Sequence, residues 1–152
     1  MSSFFKAFLY AGQGIIAAVK SQRNLRIHIT AAVYVMAFSF FYELSGTDYV
    51  LLMLTFSSVI AAELVNTAVE ATVDICSPEK SSSAKLAKDA AAGAVLVTAV
   101  FAVIVGFIMF LDIDVIKSII RYYAENIFAL IGLAVSAVLA VVFIVYPKKE
   151  RK

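Results

Sequence analysis

Glu63, Asn66, Glu70 and Asp74 interrupt an otherwise apolar stretch of the chain, and their spacings of 3, 4 and 4 residues put them in one file. At 100° per residue an α-helix keeps all four within about 80° of arc, over a rise of about 16 Å. Ionisable groups within hydrocarbon cost about 2.5 kcal/mol or more each, so three carboxyl groups on one face need a compensating partner. A divalent cation would supply it. The other reading of the same file is glue between helices, through protonated carboxyls and interhelical hydrogen bonds. Lys85, Lys88 and Asp89 follow shortly after, at the start of the next apolar stretch. Lysine offers phosphate a point charge and a helix N-terminus offers free N–H groups, although lysines there also suit lipid phosphates. Carboxylates, an amide and lysines together suit a metal ion and its phosphate ligands.

These residues sit in a chain of 152 residues, 62% hydrophobic and 16% charged, with mean hydropathy +0.93. An ordinary soluble domain is about half apolar and a quarter charged, so this composition belongs in a bilayer. One cysteine rules out an internal disulfide scaffold, and a net charge of +2 gives no strongly basic face for nucleic acid. Cys76 reads as a small buried hydrophobe. The sequence predicts an all-α integral membrane protein with four spans, near Ile29 to Tyr42, Tyr49 to Ile75, Ala90 to Leu111 and Ile127 to Tyr146. The first is short, and the second carries the polar file. Ser45-Gly46-Thr47-Asp48 reads as a tight turn, Ser77-Pro78 opens a loop through Ser83, and Asp112 to Glu125 reads as an amphipathic connection.

Charge orients the spans. Of the 13 Lys and Arg, Lys6, Lys20, Arg23 and Arg26 precede the first span, Lys80, Lys85 and Lys88 lie in or beside the middle loop, and four fall in the tail after Pro147. The other side holds Lys117 and Arg121 against five carboxylates. The positive-inside rule then puts both termini and the middle loop in the cytoplasm of a cell (inner) membrane protein. Ahead of the spans, Phe4, Phe5, Phe8, Leu9, Ile15, Ile16 and Val19 recur at helical spacing with Lys6, Gln13 and Lys20 among them. That pattern predicts an amphipathic surface helix. No basic segment precedes the apolar run and no clear small-residue cleavage site ends it, which disfavours a cleaved signal peptide.

Other motifs carry less. Gly12-Gln13-Gly14-Ile15-Ile16-Ala17 matches a dinucleotide fingerprint without the strand that must precede it, and there is no Walker A, HExxH or GxSxG sequence. His28 reads as an interfacial structural residue.

The run Glu63-Leu64-Val65-Asn66-Thr67-Ala68-Val69-Glu70-Ala71-Thr72-Val73-Asp74 resembles the ELxNTAxExxxD signature of the prokaryotic diacylglycerol kinase family of integral-membrane lipid kinases. Ala87 to Val95 and Arg23-Asn24-Leu25-Arg26-Ile27-His28 resemble its undecaprenol kinase branch, and the likeness runs ungapped over roughly Phe4 to Leu111. The resemblance implies ATP-dependent phosphorylation of a lipid hydroxyl by a homotrimer with sites between subunits. It implies Glu63 as general base, Glu70 as Mg²⁺ ligand, and Asn66 and Asp74 as polar residues arranging the site. Lys88, Asp89 and Tyr10 match nucleotide contacts, as do Glu79, Lys80 and Ser81 in the loop. The residue types agree with these roles: phosphoryl transfer needs positioning and charge neutralisation, and the depth of Glu63 desolvates it as a base requires.

Two departures stand out. Where the family usually has a second metal-ligating Glu, this chain has Gln22, whose neutral carbonyl is a weaker partner for Mg²⁺. Family members also typically stop after three spans. The expected organisation is therefore a kinase-like membrane domain over 1–111, and an extra span with a basic tail over 112–152. A small cation-coupled transporter and a catalytically weakened kinase-like scaffold are the competing functions.

Overall fold

The computed structural model describes residues 3–77 and 81–145. They form six helices in chain order: α1 (Ser3–Ser21), α2 (Arg23–Ser39), α3 (Gly46–Cys76), α4 (Ser82–Phe110), α5 (Ile113–Glu125) and α6 (Ile127–Val145). Polar residues in the breaks start these helices. Ser45 and Asp48 form a reciprocal capping box, in which Asp48 N–H donates to Ser45 Oγ at 3.3 Å and Ser45 N–H donates to Asp48 Oδ2 at 2.8 Å. The segment expected as a tight turn is thus the beginning of α3. Ser81 caps α4, Asp112 caps α5, and the Asn126 side chain accepts from Ala129 N–H at the start of α6. The amphipathic connection expected over Asp112 to Glu125 is a helix of its own.

Among the described residues, α3, α4 and α6 are long and apolar enough to cross a membrane. α2 has 17 residues and spans about 25 Å, at the short end of what a bilayer requires. It begins at Arg23, several residues before the expected start of the first span, because the motif Arg23 to His28 is itself helical.

α3 and α4 pack as an antiparallel hairpin, and α2 lies against α3. Leu25, Leu52 and Val59 are buried in the described structure, whereas α4 and α6 bury no residue at all. Apolar side chains such as Ile108 and Phe128 point outward, which in a bilayer is their favourable environment. α6 runs antiparallel to α2: the Tyr34 hydroxyl lies 3.0 Å from Ser136 Oγ, and Arg26 reaches the carbonyl of Ile144. Tyr122 and Tyr123 of α5 close the far end of this seam against Phe38 and Phe41. The end of α6 and the start of α2 therefore share one end of the bundle. α1 buries only Ala18 and exposes Phe4, Phe5, Phe8, Ile15 and Ile16, as a helix lying in an interface would. Cys76, expected to be buried, is exposed at the last residue of α3.

Candidate active site

α3 presents the polar file with a gradient of burial. Glu63 is 3% exposed, Asn66 and Glu70 are half-buried, and Asp74 is exposed at the helix end. The gradient follows from position: Glu63 faces α2 in the middle of the packed region, and each further turn moves toward the loop.

Glu63 Oε1 lies 3.5 Å from Nε2 of His28 on α2. This contact brings His28, which the sequence presents only as an interfacial residue, to the head of the candidate file. Nothing in its spacing could have shown the contact, since it depends on the register of α2 against α3. One turn below, Asn66 Nδ2 donates to Glu70 Oε1 at 3.1 Å, so the amide holds the carboxylate. Asn66 Oδ1 is buried and has no hydrogen-bond partner. A buried acceptor left unpaired costs about 1–3 kcal/mol, a cost that a water or a bound group would remove. At the end of the file, Lys88 of α4 pairs with Asp74 across the hairpin.

The remaining candidates stand apart. Gln22 is the single non-helical residue between α1 and α2, at φ −103° and ψ 114°, and its side chain makes no capping bond. Tyr10 is 64% exposed on α1, and Asp89 is exposed on α4. Ser81 accepts from Ala84 N–H at 3.1 Å, so its hydroxyl caps α4. Glu79 and Lys80 lie outside the described residues. Within the described residues the structure joins Glu63 with His28, Asn66 with Glu70, and Asp74 with Lys88; it does not hydrogen-bond Gln22, Tyr10 or Asp89 to the file.

No group of three or more His, Cys, Asp or Glu among the described residues could hold a metal alone. The donors that are present are of the oxygen type that hard cations such as Mg²⁺ take. Mg²⁺ binds through one or two carboxylates and takes its other oxygens from water and substrate phosphates. The Glu70 carboxylate and the unpaired Asn66 oxygen beside it provide such a partial set.

The model of the family described as prokaryotic diacylglycerol kinase matches residues 9–110, two-thirds of the chain and the whole of α2, α3 and α4. The chain belongs to the prokaryotic diacylglycerol kinase family. An undecaprenol kinase of Bacillus subtilis (strain 168) is 41% identical over 111 residues, covering 73% of this chain and 90% of that protein. A diacylglycerol kinase of Synechocystis sp. (strain ATCC 27184 / PCC 6803 / Kazusa) is 43% identical over 101 residues, covering 66% of this chain and 58% of that protein. No solved structure matches significantly. By family this is a membrane lipid kinase, and the family match contains the polar file, His28 and Lys88 while leaving out α5 and α6.

Proposed function

We propose that this chain transfers the γ-phosphate of ATP to the hydroxyl of undecaprenol, at the cytoplasmic face of the cell membrane. The carrying observation is the graded file on α3: a buried carboxylate at Glu63, a tethered carboxylate at Glu70, and an exposed Asp74–Lys88 pair where a soluble nucleotide arrives. The 41% identical undecaprenol kinase, matched over 90% of its length, favours a polyprenol over diacylglycerol.

Glu63 is the general base. As the lipid oxygen attacks the γ-phosphorus, Glu63 takes the hydroxyl proton, the new P–O bond forms, and the bond to the β-phosphate oxygen breaks to release ADP. His28 faces the same carboxylate and holds its orientation. Asn66 fixes Glu70, and Glu70 with Asn66 Oδ1 and Gln22 would hold Mg²⁺, which neutralises the phosphate charge. Lys88 and Asp89 at the start of α4, with Asp74, Tyr10 and the loop residues Glu79, Lys80 and Ser81, contact the nucleotide. The burial order suits this division, since a lipid alcohol reaches Glu63 sideways from the inner leaflet while ATP comes from the aqueous end.

Both termini are cytoplasmic in this reading. It is supported by the cations before and in the first turn of α2, by those in the middle loop and the start of α4, and by the end of the bundle that the start of α2 shares with the end of α6. The functional unit is a homotrimer with sites completed between subunits, a reading consistent with how few donors the described residues of one chain bring together.

The deciding experiment compares phosphate incorporation from labelled Mg·ATP into undecaprenol and diacylglycerol, presented in matched detergent micelles. Undecaprenyl phosphate as the main product supports the proposal. Faster labelling of diacylglycerol overturns the choice of lipid, and labelling of neither, where a control kinase works, overturns the activity.

A further inference from the structure

Arg26 is charged, 3% exposed, and lies outside the polar file. Its guanidinium joins three helix ends. Nη1 donates to Val19 O at 2.8 Å and to Lys20 O at 3.1 Å, both in the last turn of α1. Nε and Nη2 donate to Ile144 O of α6 at 3.2 and 3.0 Å. The last carbonyls of a helix lack partners within it and carry partial negative charge, so one planar cation in the first turn of α2 satisfies the C-terminal carbonyls of α1 and also holds a carbonyl near the end of the described part of α6. α6 lies beyond the family match, so one arm of this arrangement comes from the added segment.

The first turn of α2 follows Gln22 directly, and α1 carries Tyr10. α1 buries only Ala18, in its last turn, and beyond that turn's ties to α2 and α6 it packs against α3. Tyr10 stands about 14 Å of helix from Val19, and a tilt of about 10° there displaces it by about 2 Å. Displacements of that size are enough to disturb a positioned substrate.

We infer that Arg26 is a positioning residue for the nucleotide: it ties the C-terminus of α1 and the Ile144 carbonyl of α6 to the start of α2, and so fixes Gln22 and the Tyr10 face of α1. The added helix α6 thereby serves as the fixed post against which α1 is set. This inference rests on the proposed kinase reading for its kinetic consequence and on geometry alone for its mechanical one.

The test uses the full chain with Cys76→Ala, spin labels at Ala7→Cys on α1 and Val141→Cys on α6, and dilution with unlabelled protein so that distances within one chain dominate. With Arg26 intact the distance distribution is narrow, and Arg26→Gln broadens it. In unlabelled protein, Arg26→Gln raises KM for Mg·ATP about tenfold and leaves kcat and lipid KM within about twofold. Arg26→Lys retains the charge but not the fork, and gives an intermediate distribution and KM; it also carries the test should Arg26→Gln fail to fold. An unchanged distribution in the variants overturns the tie. A broadened distribution with unchanged nucleotide KM, or with a loss confined to kcat, overturns the positioning role. Wild-type protein that phosphorylates no lipid overturns the kinase reading while the distances still decide the tie.

Discussion

His28 Nε2 stands 3.5 Å from Glu63 Oε1, across the seam where α2 meets the middle of α3. The contact gives a buried carboxylate one polar neighbour on another helix, and Asn66 and Glu70 continue the line on the same helix. A base must be held as well as buried.

Glu63→Gln keeps the size of the side chain and an oxygen to face His28, but the amide does not accept the proton. Turnover should fall by about 10²–10⁴, the range of general-base effects, while nucleotide KM and oligomer size stay as in the parent. Lipid phosphorylation rates and size-exclusion profiles check this together. A variant retaining more than about a tenth of parental turnover removes Glu63 from that role.

Gln22→Glu restores a carboxylate at the junction of α1 and α2, where the present side chain makes no capping bond. An added negative charge strengthens a hard-cation site, so half-maximal activity should occur at lower Mg²⁺, by about tenfold. Titrating Mg²⁺ at fixed ATP measures it. Identical Mg²⁺ curves for the two proteins exclude Gln22 from the metal site.

The Asp74–Lys88 pair predicts opposite results for stability and for kinetics. With side chains 36% exposed at Lys88 and 67% at Asp74, the pair is worth about 1 kcal/mol at most to the fold. Lys88→Ala should therefore change the melting temperature in detergent little, yet raise KM for Mg·ATP about tenfold by removing a phosphate contact. A large loss of stability with unchanged KM would assign the pair to holding the α3–α4 hairpin instead.

Patterns along one helix were legible in the sequence, and patterns between helices were not. The file of Glu63, Asn66, Glu70 and Asp74 follows from spacing alone, and the structure keeps it on α3. The sequence offers Lys88 as a phosphate contact, but its partner Asp74 lies across a hairpin whose register spacing cannot give. Arg26 shows the limit most clearly. Counted as one more cytoplasmic cation, it is buried against α1 and α6, because its partners are backbone carbonyls that no side-chain pattern announces. Ser45 and Asp48 mark a break correctly while concealing its form, since the same polar residues serve a turn or a helix cap.

Tyr34 and Ser136 offer a test of how α6 is docked. Their hydroxyls lie 3.0 Å apart midway along an otherwise apolar seam, and Ser136 also donates to Leu133 O of its own helix. Hydrogen bonds between helices in a bilayer average about 0.6 kcal/mol, because the separated helices find other partners. Tyr34→Phe and Ser136→Ala should each destabilise the protein by about that amount, and the double variant by no more than the larger single effect. Unfolding in mixed micelles, run as a double-mutant cycle, measures the coupling. Fully additive losses would mean that the hydroxyls do not hold each other. α6 would then be set on α2 by Arg26 at one end and the Tyr122 and Tyr123 rings at the other, with nothing polar between.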